Sequence, residues 1–291
     1  MKLINRLPSK KAAMRASAAI LLVAAISIWG VNRTLFEPWR PFVSSNRLEL
    51  VALNAFAVSQ IDYQVDFLEM KSAGLLEDSP ITARGGFLPI LLEPRSPEGI
   101  SSGHWIQSAI QFHSSGRISN PHLGKSATLS RALIGNNKPF GDTESLISAL
   151  SERRISAEVQ VLVKPKTPLT DAGVSNLLTA PLTPDTIFIS PPSSSAAVLL
   201  AWDRESCELR GVRGCQQSRA TISVFSKWVD MLRPEDDLIL KHYSLRYSKM
   251  QAYAREGRIS AFIMTALPED IEHLLSDPRI AWVHFLHLRQ R

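Results

Sequence analysis

The feature that most limits what this chain can fold into is a stretch without one charge, Ala16 to Asn32, set behind five basic residues, Lys2, Arg6, Lys10, Lys11 and Arg15. As a helix its 17 residues would extend about 25 Å, near the lower limit for crossing a bilayer. Trp29 stands at one end of the run, where an amphipathic ring suits the membrane interface. Five positive residues precede the run and only Arg33 and Arg40 follow it closely, so the positive-inside bias predicts a cytoplasmic N-terminus and an exported remainder. The competing reading is a secretory signal peptide, which shares the basic-then-apolar order. Its small-x-small candidate, Ala25-Ile26-Ser27, leaves a short apolar region and is followed by bulky Ile28 and Trp29. The expected localisation is the cell membrane, single-pass, with the C-terminal part outside.

Charge then excludes a class of partner. The chain has 33 basic and 27 acidic side chains, yet past residue 15 the counts are 28 and 27, so the excess sits in the N-terminal arm. A folded nucleic-acid-binding face needs a basic patch of its own, and no nucleic-acid partner is expected. Two cysteines are too few for a disulfide framework or a thiolate zinc site.

Periodicity gives the expected elements. Leu48 to Val58 and Tyr63 to Leu68 are apolar or alternating stretches, predicting a strand-rich segment, and Trp105 to Phe112 has strand spacing. Asp142 to Leu150 opens on an N-cap residue and reads as a helix. Past a boundary near 153, Ala157 to Val163 alternates strictly and predicts a strand, Thr170 to Leu178 a helix, and Thr186 to Ser190 a strand. Ser193 to Gln217 reads as a partly irregular insertion. Val224 to Leu232 and Ile239 to Glu256 read as helices, the second stopped by Gly257. Arg258 to Met264 and Ile280 to Leu286 read as strands flanking a helix that starts at Pro268. The fold class expected is an α+β or α/β sandwich of strand-helix-strand units after one N-terminal transmembrane helix. The expected division is a cytoplasmic basic stub over 1–15, the transmembrane helix over 16–32, a strand-rich exported segment over 33–153 and a second exported domain over 154–291.

That last domain carries a resemblance. Tyr253, the Glu256-Gly257 pair, the apolar strand from Arg258, Thr265-x-x-Pro268, the Leu-rich helix and Ile280-Ala-Trp-Val283 come in an order that resembles the sigma-factor-regulator C-terminal domain of membrane-anchored bacterial anti-sigma factors. The likeness covers roughly residues 150 to 288. Ala261 and Ala266 stand where the family usually has glycines, and alanine keeps the close packing. The resemblance implies a non-enzymatic, single-pass regulator without a cofactor. Its implied partners, besides the lipid bilayer, are an extracytoplasmic-function sigma factor or a second membrane protein of the same complex. Only some 15 residues precede the apolar run, fewer than a sigma-binding segment of several helices is expected to need.

Several short stretches imitate catalytic or metal-binding motifs. Gly99-Ile-Ser101-Ser-Gly103 matches a nucleophile-elbow pattern, but Leu92 to Glu98 ahead of it does not read as the strand such an elbow requires. The alternative function is nevertheless an exported, membrane-anchored serine hydrolase using Ser101 with one of the seven histidines. Gly124-Lys125-Ser126 lacks the first glycine of a phosphate loop, since position 119 is Ser119. His104, His113 and His122 are spaced nine apart, a spacing that by itself does not make a metal site. His284 and His287, three apart on a strand, are expected on opposite faces. Glu235-Asp236-Asp237 reads as acids favouring a helix N-terminus. Cys207 and Cys215 enclose seven residues and are either bridged in an oxidising exterior or two reduced thiols.

Overall fold

The structure is a computed structural model that describes residues 22–23, 26–27, 39, 47–75, 81–82, 84–95, 105–123, 128–134, 143–152, 157–178, 181–191, 198–203 and 220–289. It is a mixed α and β chain with two sheets, and every strand pairing in both is antiparallel. Of the predicted transmembrane helix over 16–32, only Leu22, Val23, Ile26 and Ser27 are described, as helix. No helix among the described residues is long and apolar enough to cross a membrane.

The strand reading of Leu48 to Val58 is corrected. Helix α1 spans Arg47–Ser59, and every residue from Val51 to Val58 is buried. An unbroken apolar run is equally compatible with a buried strand or a buried helix, because periodicity vanishes when all faces are covered. Thirteen residues exceed an ordinary strand, and Ala52, Ala55 and Ala57 favour the helix.

Strand β1 (Tyr63–Val65), helix α2 (Phe67–Ser72), and strands β2 (Gly86–Pro94), β3 (Ile106–Phe112) and β4 (Ile118–Ser119) follow, and the four strands form a sheet in chain order. Along β2, Leu88, Ile90 and Leu92 are fully buried while Phe87 is half-exposed, the alternation of a sheet with one face on the core. Gly85, just before β2, adopts φ +120°, and a Cβ there would lie 2.3 Å from the Phe112 carbonyl oxygen. Only glycine fits that approach.

Helices α3 (Thr128–Ile134) and α4 (Thr143–Glu152) lead to strand β5 (Glu158–Pro165), helix α5 (Asp171–Ser175), and strands β6 (Thr186–Ser190) and β7 (Leu200–Asp203). Helix α6 (Ile222–Met231), a 3-10 turn (Pro234–Asp236), helix α7 (Asp237–Leu240), a second 3-10 turn (Lys241–Tyr243) and helix α8 (Tyr247–Glu256) come next, then strand β8 (Arg258–Ala266), helix α9 (Pro268–Ser276) and strand β9 (Ile280–Arg289). The second sheet runs β7-β6-β8-β5-β9. β5 and β6 are therefore parallel with β8 antiparallel between them, and β8 and β9 flank β5 in the same way. Two split strand-helix-strand units interlock, the ferredoxin-like order, with β7 added at one edge and α6 to α8 inserted before β8. The irregular insertion expected around Val198 thus contains an edge strand, Leu200–Asp203, paired with β6.

One face of this sheet carries Val159, Val161, Val163, Ile187, Ile189, Trp202 and Met264 in the same core as α1, α5, α6 and α9. Trp202 stacks on Trp228 at 5.9 Å and meets Phe225 edge-on at 5.5 Å. The other face carries Leu162, Phe188, Ala201, Ala261, Ile263 and Leu286 under Leu129 and Leu133 of α3. With both faces covered, β8 is buried from Ile259 to Met264, which is why it reads as a continuous apolar run. α3 is held at both ends: Asp62 Oδ1 accepts the Ser130 amide at 2.9 Å, and Lys164 Nζ donates to the Leu133 carbonyl at 3.1 Å. Burial lowers the pKa of that lysine. α4 packs on α9 and β9, and its Thr143 Oγ1 accepts the Phe285 amide at 3.2 Å on the open edge of β9.

Two further sequence readings are corrected. The helix expected over Ile239 to Glu256 is broken between Lys241 and Arg246, where Ser244 takes φ 60°. Asp237 Oδ1 accepts the Tyr247 amide at 2.6 Å and starts α8 afresh. In β9 the register slips, so that His287 lies opposite Gln160 and Phe285 opposite Val161. The bulge at Leu286 reverses the alternation beyond it. His284 lies opposite Leu162, so both histidines share one face of the sheet instead of opposing faces.

Candidate functional site

The described residue nearest to the apolar run on the folded side is Trp39, seven positions beyond Asn32. Its ring is 2% exposed and meets Phe112 edge-on at 5.4 Å. Its Nε1 donates to the His113 carbonyl at 2.9 Å. That carbonyl also accepts the Gly116 amide, closing the β3–β4 turn, while the His113 amide donates to the Arg117 carbonyl. The His113 ring bonds Ser119 Oγ at 2.9 Å. His242, from the second 3-10 turn, reaches the same turn through a hydrogen bond with the Gly116 backbone. Its Nε2 is buried without a partner. Burial, and secondarily the neighbouring Lys241 cation, pull this imidazole below its ordinary pKa of 6.5, against the bond to Gly116. Three segments distant in sequence thus meet at one β-turn.

Arg47, the first residue of α1, is the second attachment. Its Nε donates to Asp236 Oδ1 at 2.8 Å, and its Nη2 to Asp236 Oδ2 at 2.5 Å and to the Met231 carbonyl at 2.9 Å. Asp236 is fully buried and also accepts the Arg233 amide at 2.7 Å. Part of the helix-start reading of Glu235-Asp236-Asp237 survives in that last bond. The dominant partner is nonetheless an arginine 189 positions away, which local pattern does not reveal.

A third attachment, an ionic one, joins the two sheets. Arg95, just after β2, donates from Nη2 to both oxygens of Asp203 at 2.7 Å, and from Nη1 to the carbonyls of Gln60 and Ile61 at 2.6 and 2.9 Å. The two side chains are only 2% and 1% exposed. Thr186 Oγ1 donates to Asp203 Oδ1 at 2.8 Å, and the guanidinium sits 5.9 Å from the centre of the Phe188 ring.

Away from these attachments, a cleft of about 190 Å³ opens between α5, the 181–184 loop and the start of α6. Its walls are apolar, Val174, Leu178, Leu182 and Ile259, with the hydroxyls of Ser175, Thr183 and Thr221 on its lining. The Asp171 carboxylate beside it accepts the amides of Ile222 and Ser223 at 2.9 and 3.0 Å, so the α6 N-terminus is already capped. Small ligand pockets usually start near 300 Å³, and this cleft suits an apolar side chain better than a substrate.

Ser101, His104, Gly124 to Ser126, Cys207 and Cys215 lie outside the described residues. Among the described residues no group of three His, Cys, Asp or Glu side chains is placed to hold a metal ion. The residues that carry the resemblance have structural work at the two ends of β8. The Tyr253 hydroxyl donates to the Val198 carbonyl. At Gly257 a Cβ would lie 2.3 Å from the Tyr253 carbonyl oxygen and 2.8 Å from Ile189 Cγ2. Thr265 Oγ1 donates to Asp185 Oδ2 at 2.7 Å, and Pro268 opens α9. No protein family, curated protein or solved structure matches this chain.

Proposed function

We propose that the chain is a non-enzymatic single-pass membrane regulator resembling an anti-sigma factor, its exported unit sensing or contacting a partner and coupled to the inner side of the membrane. The observation that carries this reading is the burial of Trp39 and α1 behind the apolar run. Coupling across a membrane requires that the segment leaving the bilayer be built into the exported fold and not tethered loosely. Trp39 is fastened to the β3–β4 turn and Arg47 to the 234–236 turn, so a partner that favours one arrangement of these turns changes the position of the incoming chain. The coupling is reciprocal: what binds at the inner end alters affinity outside by the same factor. The partners on this reading are the bilayer and either an extracytoplasmic-function sigma factor or a second membrane protein of the same complex.

Deleting the gene should change transcription from a single class of promoters sharing one pair of recognition elements. Scattered or absent changes would overturn the regulatory reading, as would labelling of Ser101 by a serine-directed covalent probe.

A further inference from the structure

We infer that His242 is an acid-released latch between the second 3-10 turn and the β3–β4 turn. Its ring meets Gly116 of that turn through a backbone hydrogen bond. The Gly116 amide already donates to the His113 carbonyl, so the group left for the ring is the Gly116 carbonyl, and the imidazole is the donor. Nε2 is buried without a partner, which assigns the donated proton to Nδ1 and leaves Nε2 bare. This is a neutral imidazole with one donor and one lone pair. A second proton has to enter at Nε2, where it makes a buried N–H with no acceptor, in the field of the Lys241 cation. An unpaired buried donor and a neighbouring like charge both disfavour that form. Protonation therefore favours the arrangement in which the ring has left the β3–β4 turn for water.

The segment that carries the ring is suited to yield first. It is a short turn, Lys241–Tyr243, closed by the Ser244 amide on the Lys241 carbonyl at 3.2 Å, and Ser244 itself takes φ 60°, a left-handed conformation that a residue with a Cβ adopts at a cost. The charged groups on the elements around the ring do not respond in the same way. α1 packs on the turn through Phe56 and Tyr243, and it carries Arg47, held by Asp236, and Glu49. Burial raises the Glu49 pKa, so the folded state holds that proton more tightly than the unfolded one and acid strengthens this site. α7 opens with Asp237, which accepts the Tyr247 amide. On the β3–β4 turn, Arg117 stays charged throughout. His113, on the same turn, bonds Ser119 Oγ at 2.9 Å, a hydroxyl that accepts from an imidazolium as readily as it donates to an imidazole. Among these groups His242 is the one that gains a charge near neutral pH in a place that cannot pair it. Trp39 donates to the His113 carbonyl of the released turn, so acid parts the turn that carries Trp39 from the helices before β8. On the reading proposed above, which the latch rests on only for the side of the membrane that supplies the acid, external acid becomes a signal.

The test is hydrogen–deuterium exchange, read by mass spectrometry on the full chain at pH about 7.5 and about 5, with labelling times scaled to the intrinsic exchange rate. Peptides over 113–117 and 241–246 should exchange several-fold faster at the lower pH, with a ceiling of about thirty-fold if the released ring returns to its ordinary pKa of 6.5. Peptides from β5 and β8 should keep their protection. His242→Gln, whose amide donates to a carbonyl and never charges, should exchange alike at both pH values, and His113→Gln should follow the wild type. Equal protection of the wild type at both pH values, an acceleration that persists in His242→Gln, or an acceleration spread over β5 and β8 would each overturn the latch. If His242→Gln exchanges fast at both pH values, the ring itself decides, in the nuclear magnetic resonance spectrum of the full chain with isotope-labelled histidine. The signal missing from His242→Gln should be the Nδ1–H tautomer at neutral pH and should titrate below 6.5; an Nε2–H tautomer, or a midpoint at or above that value, would overturn the latch. Each of these failures leaves the regulatory reading to its own promoter test.

Discussion

Removal of the Asp203 carboxylate tests the ionic contact between the two sheets. In Asp203→Ala the Arg95 guanidinium keeps the Gln60 and Ile61 carbonyls but loses two 2.7 Å bonds to an anion, in a site where both side chains are nearly inaccessible. Breaking a buried pair from one side costs about 3–5 kcal/mol, because the remaining charge stays out of water without compensation. Thr186 also loses its acceptor, which adds about 1 kcal/mol. Urea unfolding of the purified full chain, followed by tryptophan emission, should report a loss of about 4–6 kcal/mol, or a midpoint lower by about 1.5–2 M at a slope near 3 kcal/mol/M. Trp202, the neighbour of Asp203, stacks on Trp228 and makes the probe local to the change. In Arg95→Met/Asp203→Leu both charges leave together, and the variant should recover most of the loss, since apolar replacement of a buried pair is often neutral or better. A loss below about 1 kcal/mol in Asp203→Ala would refute the claim that the charge is trapped. A double variant as unstable as the single would show that packing, not charge, sets the cost.

Three more outcomes are expected. Gly257→Ala should destabilise by about 1–3 kcal/mol, measured by the same unfolding midpoint, because its Cβ would collide with the Tyr253 carbonyl and Ile189; an unchanged midpoint would contradict the close approach. His242 has a lowered folded-state pKa, so the folded state binds fewer protons than the unfolded state below pH about 6.5, and stability should fall as pH drops through that range. His242→Gln should flatten that fall, and an equal acid dependence in both forms would remove His242 as its source. A reporter fused after Arg291 should be active outside the cytoplasm, and neutralising Lys2, Arg6, Lys10, Lys11 and Arg15 should degrade that orientation; Met1 and Arg291 found on one side would end the single-pass reading.

Legibility in the sequence followed the range of the determining interaction. The strand Glu158–Pro165 announced itself by alternation, and Thr170 and Pro268 marked their helix starts, because each signal lies within a few residues of its consequence. The Thr170 cap is a three-residue contact, with its Oγ1 accepting the Gly173 amide at 3.0 Å. The sequence of α1 is equally suited to a strand, since a helix covered on all sides loses the period that distinguishes the two. The bulge at Leu286 could not be read because it depends on how β9 pairs with β5, and one extra residue reverses which face His287 occupies. The three attachments were equally hidden. Arg47 finds Asp236, Arg95 finds Asp203 across 108 positions, and Trp39 finds His113 across 74, separations over which no spacing rule operates.

Those attachments are not equally firm, and the inequality bears on the proposed coupling. The Arg95–Asp203 contact is buried and satisfied on both carboxylate oxygens, with only the Arg95 Nε left without a partner, so it ties the two sheets together. The second 3-10 turn is built differently. His242 Nε2 and the Tyr243 hydroxyl are buried there without hydrogen-bond partners, and burial pushes the Tyr243 phenol up in pKa. Each unsatisfied group costs about 1–3 kcal/mol while buried. The turn meets α1 where the Tyr243 and Phe56 rings pack edge-on at 6.2 Å. Burial holds the His242 imidazole below its ordinary pKa, so a proton there puts a charge where water does not reach it fully and acid weakens this turn before it weakens the Arg95–Asp203 contact.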